Sequence, residues 1–216
     1  MDYVEEIDYK GCRIRIAQDI DQMSPDDWEE DLVFFVSFDN QFPRCPEGSP
    51  VRGELELQEL LLGPDKEYYE DCPEELAEAV AEWKKERAEW AIYEVSVYSH
   101  GIISLTFAGD PDVDTIKAAI FVKKDGEWGP DVNFKAIARD HCKTWEQYFG
   151  GEVYGYMIDG PLETKQDLCE KCGHVQREYE EREVLESVWG FYGLEYCIEE
   201  AKGVVDYHVE NAAPKV

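Results

Sequence analysis

Cys169-Glu-Lys-Cys172-Gly-His174 is the sharpest chemical signal in the chain. A Cys-x-x-Cys-Gly run wraps two thiolates around one metal ion, and its glycine permits the tight turn. A closed structural zinc site needs four ligands. No second Cys-x-x-Cys exists, so His174, Cys197 or the His141-Cys142 pair would have to complete the set. The expected cofactor is one structural zinc on Cys169 and Cys172, or none if the motif is a hairpin tip with two thiols. A redox Cys-x-x-Cys would sit at a helix N-terminus after a strand. Here the following Val175 to Glu186 reads as strand.

Catalytic groups are sparse. His100, in Tyr98-Ser-His-Gly101, is of a type that titrates near neutral pH and can serve as a general base, but a hairpin-turn histidine is the simpler reading. His141 and Cys142 are adjacent, so on a helix they point in different directions and do not form a thiol–imidazole pair. There is no Gly-x-Ser-x-Gly, no phosphate-cradling glycine loop and no His-Glu-x-x-His. No residue is assigned to catalysis, and the chain reads as a non-enzyme.

Acidic residues form the other candidate site. Asp65, Glu67, Glu70, Asp71, Glu74, Glu75, Glu78 and Glu82 follow one another with Lys66 as the only counter-charge between the first and the last. Glu74, Glu78 and Glu82 recur at every fourth residue, the spacing of one helical edge, despite a like-charge cost of about a few tenths of a kcal/mol per pair. A second cluster holds Asp19, Asp21, Asp26, Asp27, Glu29, Glu30 and Asp31. A third holds Glu178, Glu180, Glu181, Glu183 and Glu186, relieved by Arg182. A surface built only for solubility intersperses lysines among its acids. The residues from Asp65 to Glu82, with Asp26, Asp27, Glu29, Glu30 and Asp31, are therefore the expected partner-binding set.

The whole chain shares this bias. Its 216 residues carry 50 Asp plus Glu against 21 Lys plus Arg, a net charge of −29. That excludes direct binding to a phosphate backbone, which needs a basic face, and disfavours an anionic membrane. Disorder is excluded as well, because the chain is 44% hydrophobic and 13% aromatic. Adaptation to high salt would give a similar charge, but lysine outnumbers arginine and there are seven cysteines, which argues against it. A compact chain of this length has a diameter of roughly 44 Å. The same length of duplex DNA carries about 26 charges. The net charge thus matches that of the nucleic acid the protein would displace from a basic groove, with electrostatic steering as a further gain.

Seven scattered cysteines, an odd number, fit reduced thiols better than a disulfide framework. No run of ~18 apolar residues spans a membrane. The opening Met1-Asp2-Tyr3-Val4-Glu5-Glu6 has no apolar core of a signal peptide. The expected location is the cytoplasm.

These residues need elements to hold them. Residues 11–17 alternate polar and apolar, as a half-buried strand does. Ser24-Pro25-Asp26-Asp27 signals a turn or helix start. The apolar run Leu32-Val-Phe-Phe-Val-Ser-Phe38 reads as a central strand, 40–53 as a loop and 54–63 as a helix. A second helix is predicted from Pro73 to about Trp90, with Leu76, Val80, Trp83 and Trp90 on one stripe. Strands are predicted over 91–98, 102–107 and 117–123, the last ending at Lys124-Asp125-Gly126. One or two short helices follow over 133–149, then strands over 152–158 and 175–192, and a last helix from Leu194 to Val209. Without regular strand–helix–strand alternation, the expected class is α+β: a single domain over 1–216, a mostly antiparallel sheet flanked by helices, and a zinc-knuckle-like hairpin at 165–180.

Aromatic and glycine residues cluster at Tyr148-Phe-Gly-Gly151, Val153-Tyr-Gly-Tyr156 and Trp189-Gly-Phe-Tyr-Gly193. Core aromatics with glycines at bends account for them, and a cleft with stacking surfaces is the functional alternative. Together with Tyr9-Lys-Gly-Cys-Arg-Ile-Arg-Ile-Ala-Gln-Asp-Ile-Asp-Gln-Met-Ser-Pro-Asp-Asp-Trp28 and Tyr98-Ser-His-Gly101, these segments resemble a family of small proteins encoded by bacteriophages and bacterial mobile elements. Its members have a Ser-Pro-x-x-Trp loop, a Tyr-x-His-Ser-Gly turn, a Gly-Asp-Val-Tyr-Gly-Tyr segment and a Cys-Trp-Gly-Phe-Tyr-Gly motif, in the same order. This chain departs in lacking the Ser after His100, in having Val188 before Trp189, and in having Gly109-Asp-Pro-Asp-Val-Asp114 where the family has Cys-Pro-Trp-Asp-Ser-Gly. The resemblance implies a phage context in a bacterial host and brings no activity with it.

The leading expectation is an accessory phage protein that inhibits a host restriction or CRISPR-type nuclease through acidic surfaces imitating nucleic acid. Its partner would be a host defence protein with a basic nucleic-acid groove, with no direct nucleic-acid or membrane contact and with homodimerisation open. The alternatives are a phage protein that binds a host or phage protein without mimicry, and an enzyme acting on a nucleotide signal.

Overall fold

Alternation in the segment Cys12–Gln18 drives Cys12, Ile14 and Ile16 to one side of a strand, where all three are buried, and leaves Arg13 and Arg15 on the other. The structure, a computed structural model, describes residues 2–27, 32–39, 44–64, 72–99, 103–107, 118–125, 128–129, 131–170 and 172–212. The chain is α+β, with antiparallel strand pairing throughout. It divides into two compact units, one formed by Met1–Met23 with Gly151–Val216 and the other by Ser24–Gly150. Where the sequence reading has one mostly antiparallel sheet, the strands form two four-stranded sheets and a two-stranded ribbon.

The first unit is assembled from both ends of the chain. Strand β1 (Tyr3–Tyr9) turns into β2 (Cys12–Gln18) through Lys10-Gly11. Both turn residues have positive φ, 48° and 86°, as a tight hairpin whose twist matches its strands requires. The sheet order is β1-β2-β7-β10, with β7 at Val153–Asp159 and β10 at Val184–Tyr192. Helix α4 (Leu194–Ala212) covers one face. Its buried Cys197, Ala201 and Val205 repeat every four residues and meet Ile14, Ile16, Tyr156 and Ile158. Between β7 and β10 the chain leaves the sheet as a separate ribbon, β8 (Glu163–Leu168) with β9 (Val175–Glu181).

The second unit has the sheet order β3-β6-β4-β5: β3 at Val33–Ser37, β4 at Trp90–Ser99, β5 at Ile103–Phe107 and β6 at Ala118–Lys123. The run Val33-Phe-Phe-Val36 is apolar at every position because helices cover both faces. On one side Phe34, Val36, Ala119 and Phe121 meet Leu57 and Leu60 of α1 (Glu54–Leu62). On the other, Phe35, Ile120 and Val122 meet Ala138, Cys142 and Trp145 of α3 (Phe134–Phe149). Each large side chain withdrawn from water this way stabilises the fold by about 1.5–3 kcal/mol. Helix α2 (Pro73–Glu89) packs Trp83 against the α1 side, where its indole N–H donates to Leu60 O at 2.8 Å.

Three expectations need correction or addition, and one open alternative, one helix or two over 133–149, is resolved. Trp90 does not extend the α2 stripe: its backbone is extended (φ −122°, ψ 140°) and opens β4, packed edge-on to Phe34 and Phe121. Residues 133–149 form one helix, started by the Asn133 side chain accepting from Ala136 N–H at 3.2 Å. Residues 175–192 are two strands, broken at Arg182-Glu183, where the ribbon ends and β10 begins. Strand β1 is an addition to the sequence expectations, and β8 forms the first arm of the hairpin expected at 165–180.

Candidate functional site

Helix α2 sorts its side chains by period. Leu76, Val80 and Trp83 fall within about 60° of one another around the helix, and Glu74, Glu78 and Glu82 lie on the far side. Leu76, Val80 and Trp83 are half-buried, and Glu74, Glu75, Glu78 and Glu82 are exposed. Among the described residues none of these four carboxylates is in an ion pair. Glu74 and Glu75 occupy the first turn after Pro73, where the positive end of the helix dipole favours them. Asp65, Glu67, Glu70 and Asp71 lie outside the described residues, as do Glu29, Glu30 and Asp31.

Of the four described members of the second cluster, Asp26 and Asp27 serve the fold. Pro25–Asp27 is a short 3-10 turn in which Asp27 accepts from Ser24 N–H at 3.3 Å. Asp26 does not face solvent freely. Its carboxylate is paired with Arg44, whose Nε donates at 2.9 Å, and only 13% of its side chain is exposed. Burial pushes the Asp26 carboxyl pKa up, and the Arg44 guanidinium pulls it back down. Arg44 also donates to Ser24 Oγ at 2.9 Å and lies 4.3 Å from the ring centre of the fully buried Trp145. Asp26 thus anchors an arginine against the aromatic core. No local signal in the loop around Arg44 marks this role.

Several other bases are paired within the fold. Arg15 donates to Asp159 at 2.5 Å and to Tyr3 Oη at 2.6 Å. Lys10 pairs with Asp206, Arg13 with Asp8 and Lys165 with Glu181, at 2.8, 3.2 and 2.8 Å. In the third acidic cluster, Glu178, Glu180, Glu181 and Glu183 are exposed on the ribbon and its base, and Glu186 is half-buried.

Cys169 and Cys172 sit at the ribbon tip, Cys169 half-buried and Cys172 exposed. The Gly173 N–H donates to Cys169 O, and the Cys169 N–H donates to His174 O, both at 2.8 Å. Gly173 has φ +71°, the left-handed conformation expected of the glycine in the motif. Among the described residues no group of three or more His, Cys, Asp or Glu side chains is placed to hold a metal. Cys197 is buried in the core of the same unit, and His141 and Cys142 lie on α3 of the other unit. Cys197 is under α4, and burial pushes its thiol up to about 12.

His141 and Cys142 have no nucleophilic chemistry available. The His141 Nε2 accepts from the Trp145 indole N–H at 3.1 Å, so the imidazole is neutral, and burial lowers its pKa to about 4. Burial and the nearby Glu146 raise the Cys142 thiol to about 12. A thiolate–imidazolium pair needs both shifts in the opposite direction. His100 lies outside the described residues.

The aromatic–glycine motifs resolve into packing. Tyr148 and Phe149 ring Trp145 at 5.5 and 5.2 Å, and Tyr156 stacks on Phe191 at 5.2 Å. Trp189 lies over Gly155 on the next strand. That pairing was missed by the sequence reading, although the facing Tyr-Gly-Tyr and Trp-Gly motifs carry its signal.

No family model matches the chain, and comparison with curated proteins and with solved structures found no match. Among the described residues no helix is long and apolar enough to cross a membrane.

Proposed function

We propose that this chain is a phage-encoded accessory protein that inhibits a defence nuclease, of the restriction or CRISPR type, in the cytoplasm of a bacterial host. It would bind the enzyme's basic nucleic-acid groove through acidic surfaces that stand in for phosphate. The observation that carries this reading is the outer edge of α2, where Glu74, Glu78 and Glu82 are exposed and, among the described residues, in no ion pair. Successive carboxylates there are about 6 Å apart along the axis. The net charge of −29 supports it further, being close to the ~26 charges on a duplex segment as long as the roughly 44 Å diameter of a compact chain of this length.

The test is a salt titration of binding to purified nucleases of these types. Affinity should fall steeply as salt rises, and a salt-independent affinity would exclude the mimicry. Replacing Glu74, Glu78 and Glu82 together by Gln should weaken binding and flatten the salt dependence. Binding to a host or phage protein without mimicry is the second reading, favoured by the ribbon β8–β9, whose β8 is exposed at every position. In that case the triple amide variant binds as the parent does.

A further inference from the structure

We propose that two copies of this chain share one zinc ion, held by Cys169 and Cys172 of each copy at the tips of their β8–β9 ribbons. The ribbon tip is built as half of a closed zinc site. Its turn is pinned by the Gly173-to-Cys169 and Cys169-to-His174 backbone bonds, with Gly173 in the left-handed conformation that a tight turn after the second cysteine requires. Two thiolates at this spacing chelate one metal and leave two of four tetrahedral positions open.

Among the described residues no third His, Cys, Asp or Glu joins the pair. Cys142 and Cys197 are buried, and each thiol is held in its neutral form by its surroundings. His141 is occupied by the Trp145 indole. A second copy supplies what is missing, because a two-fold axis through the metal brings an identical Cys pair to the opposite side.

The ribbon makes that approach possible. All six residues of β8 are exposed and extend the tip by about 20 Å of strand. Four thiols lose four protons as one zinc ion binds four thiolates, so uptake acidifies the medium and weakens at low pH. The acidity of the chain opposes the association. Two chains of net charge −29 repel, so this dimer tightens as salt rises, the reverse of the salt response expected for groove binding. The zinc bridge stands or falls independently of the groove-binding proposal.

The experiment is zinc chloride titration of the chelator-treated full chain, with metal content measured by mass spectrometry and molar mass by light scattering. The expected result is about one zinc per two chains, with the mass rising from 25.0 kDa to twice that and returning on addition of EDTA. Cys172→Ser should abolish both uptake and dimerisation with an unchanged circular dichroism spectrum, and Cys72→Ser, at another exposed thiol, should change neither. One zinc per monomer, no zinc uptake, or a mass that does not respond to zinc would each overturn the proposal.

Discussion

The ring of Trp189 covers Gly155 on the neighbouring strand so closely that a Cβ at residue 155 would lie 2.2 Å from its Cε3. The two residues are direct cross-strand partners of β10 and β7. An aromatic side chain laid over a strand glycine shields a backbone that has no side chain of its own. Gly155 does not have positive φ, so the ring alone excludes larger residues there.

It follows that Gly155→Ala destabilises the parent by roughly 1–3 kcal/mol, as overpacking does. In a Trp189→Ala background the same change should stabilise, because alanine then restricts the unfolded chain without a clash. Denaturant unfolding of the four members of this cycle gives both values. Equal destabilisation in the two backgrounds would show that the ring is not what Gly155 accommodates.

The elements that were legible in the sequence are those with one water-facing and one core-facing period, or with no water-facing side. β2, β3, β6 and α4 belong here, and their burial follows the pattern of their residues. For the opposite reason β1 was illegible, and β8 was legible only through the hairpin motif at 165–180. Edge strand β1 buries none of its residues, and β8, Glu-Thr-Lys-Gln-Asp-Leu, is solvated on both faces, so neither shows alternation. Trp90 satisfied the helical stripe and the strand equally, and the sheet claimed it. The division into two units leaves no linker composition to detect, because one unit is built from both chain ends. At the candidate site the α2 edge was legible as periodic charge. The removal of Asp26 from the free acids was not, since its partner Arg44 is 18 residues away in a loop.

Arg44 is expected to be the most sensitive charged position of its unit. Arg44→Met leaves the largely buried Asp26 carboxylate unpaired and removes the cation from the Trp145 face, at a cost of roughly 2–3 kcal/mol. Arg44→Lys should recover little, because an ammonium cannot span Asp26, Ser24 and the ring at once. Adding Asp26→Asn to Arg44→Met should restore part of the loss by removing the uncompensated charge. Chemical denaturation of these variants checks the order, and an Arg44→Lys variant as stable as the parent would refute the geometric argument.

On α2, Glu78 has a like charge one turn away on each side, in Glu74 and Glu82. Glu78→Gln keeps helix propensity and relieves both repulsions, so it should raise stability by about 0.4–1 kcal/mol at low salt. Glu74→Gln should be near neutral, because it relieves one repulsion and gives up a favourable place at the helix start. The gain at Glu78 should disappear in ~1 M salt, where such interactions are screened. Thermal melts at two salt concentrations measure this. A gain that survives high salt would have a cause other than charge.

Thiol labelling separates the cysteines by burial. Cys45, Cys72 and Cys172 are exposed, whereas Cys12, Cys142 and Cys197 are buried with their thiols pushed up. In zinc-free native protein at neutral pH, the first three should alkylate readily and the last three only after unfolding. Peptide mass spectrometry of a labelling time course reads this directly. Early modification of Cys142 or Cys197 would contradict the packing of α3 or α4.

His141 makes the second unit sensitive to mild acid. Its folded pKa of about 4 lies below the ordinary 6.5, so between those values the unfolded chain binds a proton that the folded chain refuses. The stability from the neutral imidazole is therefore fully present above pH ~6.5, declines as pH falls, and is exhausted near the folded pKa. Between pH 7.5 and pH 5 the loss is at most ~2 kcal/mol. His141→Gln keeps an acceptor for the Trp145 indole N–H and has no proton to gain. The stability of the parent relative to this variant should therefore fall by that amount over the same interval, measured by denaturant unfolding at each pH. The carboxylates titrate equally in both proteins and cancel in the difference. A parent-minus-variant difference that does not change with pH would mean that water reaches the imidazole and the indole bond does not hold it neutral.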